Sequence, residues 1–275
     1  MKHRMFKSVI PCALLTLLLA PALAGAAEAK PGLTAAQVVA RNAAARGGAE
    51  AWKKIQTMAW VGHVESANAP GQPMPFLLEQ QRPRSTRFEL VMQNQKSIRA
   101  YDGVQGWKLR PGSNGLPDLQ PYTAEELSFA RDAQAVDGPM MEDVAQGGIV
   151  SLGGVDTIDG RNAYQLNVQL PGGARHRVWV DAETFLELKY EREFRNARGQ
   201  SAVTSVLYRD YHDFQGLQMP TVIEIGAAGA EGASRIVIER VALNPPLEDN
   251  TFSRPNVARP RGHGGVIVDL RNPPH

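Results

Sequence analysis

Alternation of apolar and polar side chains is the main pattern of the chain after residue 57. In the segment 163–170, every second residue from Tyr164 to Leu170 is apolar, and the residues between them are polar. A period of two is the repeat of a β-strand that has one buried face. This pattern and related apolar runs predict strands over residues 59–66, 76–82, 86–92, 97–101, 106–109, 149–157, 163–170, 175–181, 185–190, 202–211, 218–225 and 234–243.

Short turn sequences separate these strands, among them Asp102-Gly103, Asp159-Gly160 and Gly172-Gly173. Tight hairpin turns join neighbouring antiparallel strands, whereas parallel strands need long crossover connections. We therefore expect a fold that is mainly β, built on one large antiparallel sheet of roughly eleven or twelve strands.

Two segments without alternation are predicted to be helical. Thr34 to Gln37 has a capping-box pattern in front of an Ala-rich run, and Gly47-Gly48 is expected to end that helix. Residues 121–145 form the second segment, in which Thr123 is expected to cap a helix. Asp137-Gly138-Pro139 should separate that helix from a second short one. The sheet thus acquires an N-terminal helix and a mid-chain helical lid.

The size of the sheet predicts an unfilled interior. A sheet of this many strands curls, and about forty helical residues cannot fill its concave face as a second sheet would. We expect an incomplete β-barrel of about eleven strands, with the helices covering an apolar and partly empty interior. Hydrophobic ligands bind in such concave apolar sites.

The N-terminus has the pattern of a secretory signal peptide. Basic residues precede an apolar run from Val9 to Leu23, and small residues follow, so we predict cleavage after Ala26, with Ala24 as the alternative. The only cysteine, Cys12, lies inside this segment, and the exported chain is therefore expected to contain no disulfide. The predicted location is the periplasm.

The predicted organisation is a signal peptide over 1–26, one half-barrel domain over 27–255 and a C-terminal extension over 256–275. The extension is interpreted as loosely ordered, although Val266–Leu270 could add an edge strand. A net charge of +2 over the whole chain does not favour nucleic-acid binding.

Candidate chemistry is sparse in this sequence. It contains no Gly-x-Ser-x-Gly motif and no phosphate-binding glycine loop, and its histidines lack metal-ligand spacing. Arg175-His176-Arg177 is interpreted as a solvated strand face. We expect neither an enzyme nor a cofactor nor a metal site, while a hydrolase whose acid and base are brought together only by the fold stays open.

Several segments, in this order along the chain, resemble the outer-membrane lipoprotein-sorting (LolA-like) family. The resemblance covers about residues 34–255 and implies an incomplete eleven-stranded barrel whose helices cover a cavity for acyl chains. The segments that carry it are Gly47–Trp52, Gln81–Pro83, Tyr101–Trp107, Asp159–Tyr164, Val180–Thr184, Tyr208–Tyr211, Asn244–Leu247 and Phe252–Pro255.

The resemblance also implies a role for Arg82. In the family, the arginine of an Arg-Pro pair bonds lid carbonyls and holds the empty cavity shut, and Arg82-Pro83 matches that pair. The alternative is a solvated strand end. The side chains that we expect to contact a ligand, in the cavity or on the lid, are Arg82, Trp60, Trp107, Phe129, Met140, Met141 and Trp179.

The implied partners are lipoprotein acyl chains or free lipid, with an inner-membrane donor and an outer-membrane acceptor, and we expect a monomer. The predicted function is that of a periplasmic carrier or binding protein for an acyl-bearing ligand. An envelope sensor that uses the same fold to bind a protein is the alternative that stays open.

Overall fold

In the computed structural model, one antiparallel sheet contains all thirteen strands of the described residues. The structure describes residues 32–66, 69–112, 116–132, 136–195, 200–227 and 234–255, so the predicted signal peptide 1–26 and extension 256–275 lie outside the described residues. The strands are β1 (Thr57–Ser66), β2 (Ala69–Gln81), β3 (Ser85–Met92), β4 (Gln95–Tyr101), β5 (Gly106–Pro111), β6 (Pro117–Pro121), β7 (Ile149–Ile158), β8 (Arg161–Gln169), β9 (Arg175–Asp181), β10 (Glu187–Arg195), β11 (Ser201–Phe214), β12 (Leu217–Ala227) and β13 (Ser234–Leu243).

The strands pair in the order β6-β5-β4-β3-β2-β1-β13-β12-β11-β10-β9-β8-β7. Two meanders, β1 to β6 and β7 to β13, are joined where β1 pairs with β13. Strands β6 and β7 form the two edges, and the sheet stays open instead of closing into a barrel. The predicted antiparallel meander is confirmed.

The strand count of about eleven was too low, and β6 is the strand that the pattern missed. It has a proline at each end and a single apolar residue, Leu119, so it shows no alternation. Proline cannot donate to the ladder and is tolerated at a sheet edge, which is where β6 lies.

Four helices are present in the described residues: α1 (Ala35–Ala45), α2 (Ala49–Lys53), α3 (Ala124–Asp132) and α4 (Pro139–Ala145). At α1, the Gln37 N–H donates to Thr34 Oγ1 over 3.3 Å and the Thr34 N–H donates to Gln37 Oε1 over 2.9 Å, so the predicted capping box forms. Thr123 and Glu126 form the same reciprocal pair at α3. In the described part of the chain, no helix is long and apolar enough to cross a membrane.

These helices pack against one face of the sheet, which we call the inner face. Val38 of α1 and Met140 of α4 lie in one buried cluster with Leu166 of β8 and Val178 of β9. Trp52 of α2 lies in a second cluster, which also contains Met58 of β1 and Leu217 and Met219 of β12. Because side chains alternate between faces, the neighbours of these strand residues point to the outer face.

The contacts of α3 require that the sheet is strongly curved. Glu126 bonds Arg99 of β4 at 3.0 Å, and Phe129, less than one turn later, lies under the guanidinium of Arg192 of β10 at 3.8 Å. Strands β4 and β10 are seven positions apart in the sheet, which would be about 34 Å on a flat sheet at the usual spacing. Side chains three residues apart on a helix cannot span that distance. The sheet therefore curls into a half-barrel, with α3 bridging its mouth on the inner face.

Candidate functional site

Part of the inner face is lined by strand residues, and helices pack only at its margin, and we call this part the open inner face. It is an apolar cluster whose members, as far as the chain is described, all come from strands. Four members are buried, namely Val64, Phe76, Ile223 and Ile238. The others are only partly buried, namely Trp60, Met74, Leu78, Phe88, Leu90, Val206, Tyr208, Ile236 and Val241. Apolar area that stays in contact with water costs about 25 cal/mol per Å², so this surface favours an apolar occupant.

The lid consists of α3, α4 and the turn between them, and Arg82 fastens it to the sheet. Arg82 follows β2, and its guanidinium donates to both carboxylate oxygens of Asp137 in the lid turn, with Nη1 to Oδ2 at 2.7 Å. Its Nε donates to the Ile55 carbonyl at 2.7 Å and its Nη2 to the Trp52 carbonyl at 3.0 Å, both at the end of α2. The hydrogen bonds to Asp137 raise the pKa of Arg82 above its ordinary value.

A second arginine, Arg46, holds the same lid residue. Its Nη1 donates to the Asp137 carbonyl at 2.8 Å and lies 3.2 Å from Glu187 Oε1 on β10. The side chains of Arg46 and Glu187 are only 4% and 1% exposed, and a buried ion pair is stable only when further hydrogen bonds satisfy its atoms. The Tyr211 hydroxyl supplies one, since it lies 3.3 Å from the other Glu187 oxygen.

Arg46 did not stand out in the sequence. It occupies the C-cap position of α1, where a lone cation is typical of a charge that complements the helix dipole. Its partners Asp137 and Glu187 are 91 and 141 residues away along the chain, so no local pattern connects them.

Glu126 fastens the other end of the lid. Its carboxylate accepts from Arg99 at 3.0 Å and from Lys108 of β5 at 2.8 Å. Burial favours the neutral acid, but the hydrogen bonds from Lys108, Thr123 and Arg99 outweigh it and lower the pKa of Glu126 from 4.5 to about 2. The carboxylate is therefore charged at all physiological pH values.

His176 anchors α4 and corrects one expectation. Its Nδ1 lies 2.8 Å from Asp143 Oδ2 of α4, and the two side chains are 0% and 1% exposed. Interpreting Arg175-His176-Arg177 as a solvated strand face was wrong for the histidine. His176 shares the inner face with Val178 two residues later, whereas Arg175 and Arg177 point to the other face.

Of the seven predicted contact residues, five lie on the inner face, in the lid or at the rim, namely Arg82, Trp60, Phe129, Met140 and Met141. Trp60, Met141 and the Arg82 partner Trp52 meet in one cluster beneath the lid, and Met140 is fully buried nearby in α4. Phe129 on α3 is 47% exposed.

Trp107 and Trp179 lie on the outer face, which corrects their assignment to the cavity. Trp107 neighbours Lys108, which reaches the lid on the inner face, and its indole N–H donates to the Phe252 carbonyl of the closing segment at 2.9 Å. Trp179 lies between the inner-face residues Val178 and Val180 and donates to Asp156 at 3.0 Å. Strand alternation places both rings on the side away from the helices.

A separate pocket of about 450 Å³ lies at the far ends of β1 and β2. Its lining includes His63, Glu65 and Arg235, which point to the outer face. Glu65 pairs with Arg235 at 2.9 Å, and His63 with Glu239 at 2.8 Å. This polar, ion-paired lining does not suit an acyl chain.

The lid contact of Glu126 predicts a pH dependence. A carboxylate whose folded-state pKa is lowered stabilises the fold above its unfolded pKa, near 4.5, and this contribution is lost as the pH falls towards about 2. We expect Glu126→Gln to lower the free energy of unfolding at pH 7 by about 1.5–3 kcal/mol. The difference from wild type should shrink between pH 4.5 and pH 2, as measured by urea unfolding.

Glu125→Gln is the matched control, because Glu125 is the exposed neighbour in the same helical turn. It should change the free energy of unfolding by less than about 0.5 kcal/mol. A Glu126→Gln effect that is equal at pH 7 and pH 2.5 would show that the charge of Glu126 does not stabilise the lid.

Comparisons by sequence found no related protein: no family model matches the chain, and no curated protein matches it. Comparisons of structure found proteins with a similar fold. A LolA superfamily protein from Nitrosomonas europaea superimposes with a TM-score of 0.53 at 13% identity, covering 81% of this chain and 98% of that one. A DUF1329 family protein from Desulfovibrio piger gives 0.51 at 14% identity, covering 79% and 96%.

A third similar structure is an outer membrane lipoprotein-sorting protein domain from Vibrio parahaemolyticus, with a TM-score of 0.50 at 12% identity and coverage of 78% and 94%. At these identities the likeness concerns the fold. The curved open sheet and its helical cover agree with it, so the chain has the LolA-like half-barrel fold that its sequence motifs suggested.

Proposed function

We propose that this chain is a periplasmic carrier or binding protein for an acyl-bearing hydrophobic ligand, either a lipoprotein or a free lipid. The observation that carries the proposal is the open inner face, where partly exposed apolar side chains line the concave side of the sheet next to the lid. The predicted signal peptide supports a location in the cell envelope. One similar structure is described as an outer membrane lipoprotein-sorting domain, which supports the same class of ligand.

The lid contacts indicate how binding and release are balanced. Arg82 and Arg46 hold Asp137 in the closed arrangement. A ligand that binds the open arrangement better shifts the population towards it, by no more than its difference in affinity for the two states. The arginine contacts therefore oppose the apolar gain of ligand entry and assist ligand release.

The position of Ile225 allows the binding surface to be tested. Ile225 is 36% exposed and shares the inner face with Val206 and Ile223. We expect Ile225→Glu to fold normally, because the site is open to water, but to weaken binding of a fluorescent fatty-acyl ligand by about 10- to 100-fold, as expected for losing one buried apolar side chain. Fluorescence titration measures the dissociation constant.

Ile149→Glu is the control for that experiment, since Ile149 is 73% exposed on the outer face of edge strand β7. It should bind the acyl ligand within about twofold of wild type, the effect expected of a surface substitution away from the site. The proposal fails if both variants bind the ligand as wild type does.

The role of Arg82 is tested by ligand release. In Arg82→Leu the closed lid loses charged hydrogen bonds worth about 1.5–3 kcal/mol, so closure competes less with the bound acyl chain. We expect the variant to transfer a fluorescent acyl ligand to acceptor vesicles about tenfold more slowly or slower still. The same loss should lower the midpoint of thermal unfolding by a few degrees, while the sheet itself stays folded because Arg82 lies at its rim.

Arg87→Leu is the control for Arg82, because Arg87 forms its ion pairs with Glu79 and Glu89 on the outer face. Its transfer rate should equal that of wild type. Equal transfer rates for wild type and Arg82→Leu would show that the lid contacts of Arg82 do not control ligand release.

A further inference from the structure

The indole nitrogen of Trp60 is a buried polar atom at the edge of the open inner face. The ring belongs both to the cluster beneath the lid, with Val136 and Met141, and to the open inner face, with Leu78 and Val241. Trp60 Nε1 is shielded from solvent, and no acceptor among the described residues lies within hydrogen-bond distance of it. A buried donor without an acceptor destabilises the fold.

The other three tryptophans behave differently. Trp52 donates to the Arg46 carbonyl at 2.8 Å, Trp107 to the Phe252 carbonyl at 2.9 Å and Trp179 to the Asp156 carboxylate at 3.0 Å. The tryptophan that meets the open inner face is thus the one whose N–H has no acceptor in the described chain.

We propose that Trp60 Nε1 donates a hydrogen bond to the carbonyl oxygen at the head of a bound acyl chain. The ligand class is then an ester- or amide-linked acyl chain and not a plain hydrocarbon or an alkyl ether. This inference rests on the proposed function and names the polar group that the site recognises.

The position of Trp60 gives the ligand a direction. Along β1, Val64 lies beyond Trp60 on the open inner face, and Met58 lies before it in the cluster at the lid, where Arg82 and Asp137 are bonded. A hydrocarbon tail fits the first side, and the polar head of an acyl chain fits the second. The indole N–H is a donor only, so its ligand partner must be an acceptor, as a carbonyl oxygen is.

Trp60→Phe tests the hydrogen bond, because it keeps an aromatic ring and removes the N–H. The probes are two fluorescent lipids that differ only in an ester or an ether link to the same sixteen-carbon chain. We expect Trp60→Phe to weaken binding of the ester lipid by roughly fivefold to tenfold, the effect of one hydrogen bond. Binding of the ether lipid should stay within about twofold of wild type, since the apolar contacts are kept.

Trp179→Phe is the control, since it removes an indole N–H on the outer face, and it should bind both lipids as wild type does. The indole resonance of Trp60 in ¹⁵N spectra of the wild-type protein is a second readout that does not depend on any variant. It should move downfield with the ester lipid more than with the ether lipid. Titrations with a diacyl phospholipid and with a diacylated lipopeptide, which both carry acyl esters, then distinguish the source of the ligand.

The outcomes separate the two proposals. If wild type binds both lipids and Trp60→Phe weakens them equally or not at all, with no ester-specific shift, the hydrogen bond is refuted and the proposed function stands. If wild type binds neither lipid, the proposed function itself fails.

Discussion

The arrangement of this protein depends on one residue of the lid turn, Asp137, which is held from two sides. Arg82 bonds its carboxylate and Arg46 bonds its carbonyl. These bonds connect Asp137 to the end of β2 and to the ends of α1 and α2. Through Arg46 they also connect it to Glu187 of β10. Helices as short as α3 and α4 are not stable alone, so their place on the sheet depends on such contacts.

The polar contacts of the lid leave the apolar centre of the half-barrel uncovered. Glu126, Asp137 and Asp143 fasten the lid at three points, each through a charged or potentially charged partner. Between these points and beyond them, the inner face is lined by side chains such as Leu78, Phe88 and Val206, which are only partly buried. Helix α3 is fastened by polar bonds and has no buried side chain among those described, so this part of the lid can move without disrupting an apolar core, whereas Met140 keeps α4 in the core. That combination suits a site that must admit and release a hydrophobic ligand.

Much of the fold could be predicted from the sequence, because its period-two pattern and capping residues are local signals. The strands, the helix starts at Thr34 and Thr123 and the antiparallel meander all follow from them. Strand β6 could not be found in this way, because two prolines mask its pattern at the sheet edge.

The site was less predictable, because its contacts join distant parts of the chain. Alternation would have placed His176 on the inner face, but its two arginine neighbours suggested solvent. Trp179 lies within the apolar run Val178–Val180, where alternation is lost and a face cannot be assigned. Arg46 could not be predicted as a site residue, because its partners Asp137 and Glu187 are distant from it in the sequence.

The central claim is that the open inner face holds an acyl-bearing molecule in the cell. Native mass spectrometry tests it most directly, on the protein expressed from the whole sequence, residues 1–275, and purified without detergent. The account predicts a bound mass that disappears on denaturation and is identified by fragmentation as a molecule with an acyl chain. A lipid-free protein, or one that carries a stoichiometric protein partner and no lipid, would contradict it.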